Sequence, residues 1–121
     1  MNRIYINWNT FNDMITHLIN RVRNDNIIFD GVYGIPRGGL ILAVVLSHRL
    51  KLPLLLAPSN NSLIVDDISD TGETLMGLKH KKILTLFYTT WSITKPDYFY
   101  DYKIHKTDWI VFPWENENEV E

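Results

Sequence analysis

LIVDDISDTGETL, Leu63 to Leu75, is an apolar run that stops at two adjacent carboxylates and then enters a segment bearing glycine and threonine. Leu63, Ile64 and Val65 read as a buried strand, Asp66 and Asp67 as its end, and Thr71, Gly72 and Thr74 as the approach to a helix. A helix start offers unpaired backbone N–H groups and partial positive charge, and a glycine lets the backbone approach an anion closely. Carboxylates beside an anion-binding turn suit a ligand with hydroxyls at one end and phosphate at the other, such as a sugar phosphate. Two other readings are open. Asp67, Ser69, Thr71 and Gly72 occupy the first, third, fifth and sixth places of a calcium loop, but Leu78 stands at the twelfth, where a bidentate Glu belongs. A plain strand-turn-helix connection with solvated acids is the other. Against it, two like charges about 4 Å apart repel by roughly 1 kcal/mol even in water, so the pair is better explained by visiting cations or hydroxyl donors.

Working outward, Ile27 to Tyr33 reads as a strand, Gly34-Ile35-Pro36-Arg37-Gly38-Gly39 as a tight loop, and Leu40 to Arg49 as an apolar helix. The glycines fit neither a dinucleotide fingerprint nor a P-loop. What remains is exposed amides, a helix start and one arginine able to grip oxygens bidentately, although an ordinary glycine-rich turn has the same composition. Two anion-type loops on successive strand-to-helix turns lie where open α/β sheets place ligands.

Both segments resemble the type I phosphoribosyltransferases, and the xanthine-guanine and hypoxanthine (purine) enzymes among them. The carrying residues are Asp66-Asp67, then Asp70-Thr71-Gly72-Glu73-Thr74, and the Pro36-Arg37-Gly38-Gly39 turn. The resemblance implies an α/β fold, a mainly parallel sheet flanked by helices with a small C-terminal hood, acting on phosphoribosyl pyrophosphate. It implies that Asp66 and Asp67 hold the ribose hydroxyls directly or through magnesium-bound water, making Mg2+ the expected cofactor. Asp70 to Thr74 would wrap the 5-phosphate, with Asp70 near the reacting base. Pro36, Arg37, Gly38 and Gly39 would bind pyrophosphate, with a cis peptide between Pro36 and Arg37. Asp70 and Arg37 are the expected catalytic residues.

The C-terminal Trp109-Ile110-Val111-Phe112-Pro113-Trp114-Glu115 resembles the hood of the same enzymes, which implies that Trp109 stacks on the base and the Ile110 backbone reads its edge. A broad indole face suits a flat heterocycle; aromatic residues near a chain end also simply close cores, and Trp114 is read that way. Two departures stand out. Pro58 to Ser62, a five-residue connector, replaces the family's long mobile lid. A short turn excludes water poorly, which implies slow turnover, cover from a partner subunit, or none. Where purine enzymes set a lysine after the strand corresponding to Ile83–Phe87, this chain has Tyr88-Thr89-Thr90, leaving Thr89 as one donor and Lys95 as a substitute from the next loop.

The remainder is bounded by composition. At 121 residues and 45% hydrophobic content the chain suits one domain over 1–121, with a core at about 9–90, a hood at about 96–115 and an acidic tail at 116–121. Phe11, Met14, Ile15, Leu18, Ile19 and Val22 mark one helix face, capped by Asn9 or Thr10. Further elements are expected at 53–57, with a hairpin between Leu54 and Val65, from Glu73 to about Lys79, at Ile83–Tyr88, and as two strands in 97–114. Zero cysteines exclude disulfides and thiolate zinc sites, and His17, His48, His80 and His105 show no metal-ligand spacing. The net charge of −2 takes its sign from Glu115, Glu117, Glu119 and Glu121, and Lys79-His80-Lys81-Lys82 reads as a solvated helix end, so no nucleic-acid partner is expected. No membrane span or signal core is read, and a cytoplasmic protein is expected. The resemblance adds a homodimer, with phosphoribosyl pyrophosphate and a purine-like base as partners in purine salvage. The alternative is a non-catalytic regulator of the same fold.

Overall fold

The computed structural model describes residues 2–78, 81–103 and 106–115. Its elements are β1 (Asn2–Tyr5), α1 (Trp8–Asn24), β2 (Val32–Gly34), α2 (Leu40–Leu50), β3 (Leu63–Ser69), α3 (Glu73–Met76), β4 (Lys82–Thr89), β5 (Tyr98–Lys103) and β6 (Asp108–Val111). The sequence Leu63-Ile64-Val65 is apolar without alternation because both faces of β3 are covered, as parallel strands require. Leu63 and Val65 join Leu84 and Leu86 beneath α1 and α2, while Ile64 and Ile83 meet Ile35 and Leu75 on the other side. The central sheet is parallel throughout, in the order β2-β3-β4-β5, and β1 pairs in parallel with β6 as a separate two-stranded sheet.

α1 buries all six residues of its apolar stripe. Its cap is Asn7 instead of Asn9 or Thr10: the Asn7 side chain accepts from the Thr10 amide at 2.8 Å, and Asn9 and Thr10 are already helical. At the far end Asp25 accepts from the Tyr98 hydroxyl, tying α1 to β5.

Four expected boundaries are corrected. Residues 27–31 form no strand, because their backbone bonds the connector: the Asp30 amide donates to the Asn61 carbonyl, and the Asn61 side chain to the Ile28 carbonyl. The strand expected at 53–57 shrinks to a single parallel bridge between Leu54 and Val32, and no Leu54–Val65 hairpin exists, since both edges of β3 are taken by β2 and β4. β3 continues to Ser69, so Asp66 and Asp67 lie within it. α3 ends at Met76, and Lys82 begins β4, so Lys81 and Lys82 are not a helix end; Lys79, His80, His105 and the tail 116–121 fall outside the described residues. The two strands expected in 97–114 are β5 and β6.

The Pro58–Ser62 connector is fastened at the N-terminal ends of the parallel strands. The Asp30 carboxylate accepts from the Ser59 hydroxyl and the Asn61 amide, and Lys81 donates to the Ser59 carbonyl, just ahead of β4. Glycine loops and carboxylates lie at the opposite, C-terminal ends. Among the described residues no helix is long and apolar enough to cross a membrane.

Candidate active site

The Arg37 turn rests on the acidic pair of β3. A Cβ placed on Gly38 would lie 2.5 Å from Asp67 Oδ2, so only a residue without a side chain lets the Arg37 loop rest on the acidic pair. The Pro36–Arg37 peptide is cis, and the turn is closed by the Gly39 amide donating to the Ile35 carbonyl at 2.8 Å and the Leu40 amide to the Arg37 carbonyl at 3.1 Å. Arg37 and Gly38 border an open cleft of about 550 Å³ with Leu40, Asp67, Trp114 and Glu115.

Asp66 and Asp67 each accept a backbone amide, from Asp67 at 2.9 Å and from Ile68 at 2.7 Å, and they serve different walls. Asp66 borders a concavity of about 90 Å³ formed with Ile68, Ser69, Asp70, Thr71, Gly72 and Thr74. Asp67 borders the Arg37 cleft and a recess of about 120 Å³ shared with Asp70, Lys103, Trp109, Ile110 and Glu115. Burial, then the neighbouring Asp67 charge, pushes the Asp66 carboxyl up from 3.8 to about 8, and burial also raises Asp67. The pair therefore holds a proton to higher pH than free carboxylates do.

That proton links stability to pH. The folded Asp66 keeps it up to about pH 8, whereas the unfolded chain releases it near pH 4. Stability from this group is complete below the unfolded value, falls as pH rises between the two, and levels off above about 8. The ligand-free protein should thus melt at lower temperature at pH 8.5 than at pH 5.5. Asp66→Asn, neutral and of equal size, should flatten this slope and exceed wild type at pH 8.5 by up to a few kcal/mol in urea unfolding. Parallel slopes in the two proteins would show that Asp66 is ionised in the fold.

The 70–74 turn is held from behind by the segment after β4. Ile93 donates from its amide to the Thr71 carbonyl at 2.9 Å, Thr94 from its hydroxyl to the Gly72 carbonyl at 2.7 Å, and Ser69 to the Thr94 carbonyl at 2.8 Å. Gly72 has φ +83°, and a Cβ there would lie 2.5 Å from the Thr94 nitrogen, so glycine is required on two counts. Asp70 is exposed and borders both the concavity and the recess. Glu73 is exposed and absent from the concavity lining; its amide donates to the Thr71 hydroxyl oxygen at 3.3 Å.

Trp109, 40% exposed, and the buried Ile110 reach the recess from β6. Trp114 stacks on Phe112 with ring centroids 5.0 Å apart and meets Phe11 edge-on at 5.3 Å, which bears out packing, and it also walls the cleft. Thr89 is not at the recess. It is fully buried, and its hydroxyl donates to the Asp70 carbonyl, so the base-donor role expected of it is replaced by support of the turn. Lys95 is exposed and outside the recess lining. Two lining residues had escaped notice. Glu115 lines the recess, and its carboxylate accepts from the Phe112 amide at 2.9 Å. Lys103 became visible only through the β4–β5 register, which sets it beside Thr89.

No family model and no curated protein matches this sequence. Among solved structures, the purine phosphoribosyltransferase of Pyrococcus horikoshii Ot3 is 31% identical with a TM-score of 0.82, over 100% of this chain and 99% of that one. The Helicobacter pylori xanthine-guanine-hypoxanthine phosphoribosyltransferase gives a TM-score of 0.82 at 21% identity, covering 98% and 97% of the two chains. A hypothetical protein from Neisseria gonorrhoeae with bound ppGpp gives 0.74 at 17%, covering 97% and 91%. The latter two, at their lower identity, speak to the fold alone. Joined to the first by sequence as well as by fold along its whole length, the chain belongs to the type I phosphoribosyltransferase family.

Proposed function

We propose that this protein transfers the 5-phosphoribosyl group of phosphoribosyl pyrophosphate to a purine-like base, giving a nucleoside monophosphate and pyrophosphate. The observation that carries this reading is the contact of Gly38 with Asp67, which seats the Arg37 turn on the acidic pair, while the 70–74 turn continues from the same strand and the aromatic recess opens beside Asp67 and Asp70. The backbone of the Asp70–Thr74 turn holds the 5-phosphate, Asp66 and Asp67 hold the ribose hydroxyls, and Arg37 faces the pyrophosphate. Trp109 supports one face of the base, and the Ile110 backbone meets its edge. As the ribose C1–O bond breaks, its electron pair leaves with pyrophosphate, where Arg37 offsets the developing charge. A base nitrogen forms the new bond to C1 and gives its proton to Asp70.

The donor set suits a magnesium ion. Among the described residues no group of three or more His, Asp and Glu is arranged to hold a metal alone. Two adjacent carboxylates completed by ligand oxygens and water match the preference of magnesium, and the pair gives up its proton to a cation. Magnesium, when bound, would withdraw charge from the pyrophosphate oxygens. The reading takes residues 1–121 as one domain that acts as a cytoplasmic homodimer in purine salvage.

A second reading is a non-catalytic binder of phosphoribosyl pyrophosphate or nucleotides. It is favoured by the connector, which is anchored at the end of the sheet away from the site and supplies no cover. Pyrophosphate release with magnesium and a panel of bases, beside calorimetry with phosphoribosyl pyrophosphate alone, separates the two. Release with at least one purine is expected. Binding heat without release from any base would favour the binder, and neither heat nor release would remove both.

A further inference from the structure

A second concavity lies across β6 from the aromatic recess. It is an open cavity of about 310 Å³ between α1, β5 and the β1–β6 pair, walled by the buried Met14, Phe87 and Ile110 and bordered by Asp101 and Asp108. Such a volume with a largely apolar wall and a few polar groups is that of a small-molecule site. Its charge is unbalanced. Among the described residues neither carboxylate makes a salt bridge. One Asp101 oxygen accepts from the Tyr102 amide at 2.7 Å, and the Lys103 ammonium, also on this wall, stands over the Trp91 ring at 5.8 Å.

Two carboxylates beside an apolar wall favour a positive charge carried on an apolar body, and Tyr100 on the same border adds an aromatic face for a flat one. A bare metal ion matches less well, because no third carboxylate or imidazole joins the pair among the described residues. Phosphate-bearing ligands would be repelled, so the cavity is no extension of the neighbouring site. The partition between the two is β6. Alternation along the strand sets Asp108 on the cavity and Trp109 on the recess, while Ile110 borders both.

We propose that this cavity is a second ligand site, taking a small organic cation with a flat apolar body, and that its occupant steadies β6 and so tightens binding in the recess. A ligand there touches α1, β1, β5 and β6 together, and it favours the arrangement that holds Trp109 in place. The site stands apart from the proposed function, whereas the coupling rests on it.

The test follows isotope-labelled methionine methyl signals of the full chain through titrations with tryptamine, its neutral counterpart indole-ethanol and its anionic counterpart indole-acetate. Tryptamine should move the Met14 signal and leave that of Met76, which is outside the cavity lining. Indole-ethanol should bind about three- to tenfold more weakly, and indole-acetate more weakly still. Asp101→Asn and Asp108→Asn should each weaken tryptamine by a similar factor. Ile4→Trp, at a 42% exposed position on the same lining, should fill the cavity and abolish the shift without removing charge. Melting curves check that the variants fold, and the ranking of the three compounds on wild type decides where one does not. An unmoved Met14 signal, or indole-acetate binding as well as tryptamine, overturns the site. So does a dimer that Ile4→Trp splits while tryptamine binds neither form, which would make this face an interface between copies.

For the coupling, the tightest binder among inosine, guanosine and adenosine monophosphates is titrated by calorimetry with and without tryptamine. Its affinity should rise about threefold or more, and by reciprocity tryptamine should tighten by the same factor. An unchanged affinity overturns the coupling and leaves the site. A Met14 shift with no nucleotide bound overturns the proposed function and the coupling with it, but not the site.

Discussion

Asp70→Asn should lower the rate of phosphoribosyl transfer by roughly two to four orders of magnitude, the usual span for a lost general base, while phosphoribosyl pyrophosphate binds as before. Asp70 is exposed at the junction of the small concavity and the aromatic recess, and its carbonyl is pinned by the buried Thr89 hydroxyl. The amide keeps the size of the side chain and the turn that carries it, but it has no carboxylate to take a proton. Single-turnover pyrophosphate release read beside calorimetry separates the two effects. An undiminished rate would remove Asp70 from proton transfer.

The second large effect belongs to Gly39. A Cβ there would lie 2.4 Å from the Val65 carbonyl oxygen and 2.8 Å from the Ile35 nitrogen, and these two atoms are themselves hydrogen-bonded at 2.9 Å. Backbone cannot rotate away as a side-chain tip can, so Gly39→Ala must pry the turn from the top of β3. The expected cost is about 3 kcal/mol or more in urea unfolding, a large part of the stability of a domain this size. Gly38→Ala supplies the contrast. Its Cβ meets the Asp67 carboxylate, which can turn aside, so the fold should persist while phosphoribosyl pyrophosphate affinity falls about tenfold or more through displacement of that group. Equal melting temperatures for Gly39→Ala and wild type would show that the turn relaxes freely.

Which parts were readable from the chain follows from how local their causes are. The Asp70–Thr74 turn was legible because its residue types follow directly on an apolar strand, although the braces from Thr89, Ile93 and Thr94 were not. The stripe from Phe11 to Val22 was legible because helical spacing alone decides which side is covered. Ile27 to Gly31 and Pro53 to Ala57 misled because they have strand-like composition, whereas a strand requires a continuous ladder, and the connector bonds the first while the second meets β2 only at the Leu54–Val32 bridge. Thr89 misled for a related reason. That Lys103 and not Thr89 lines the recess is set by how β4 lies against β5 and by the carbonyl that captures the threonine, and neither is written in spacing along one strand. Glu115 was given no role of its own because its function is to close a turn on Phe112, a contact that spacing does not announce.

The parallel pairing of β1 with β6 sets Arg3 against Trp109 and Ile4 against Ile110. Residues far apart in the chain must find each other before this wall of the recess exists, and closure over so long a span is entropically among the costliest contacts in the molecule. On the proposed function, discrimination among bases would wait for that closure, whereas the phosphate-facing turns would not. A chain clipped of Asn2–Tyr5 would then keep its grip on phosphate and lose much of its eye for the ring.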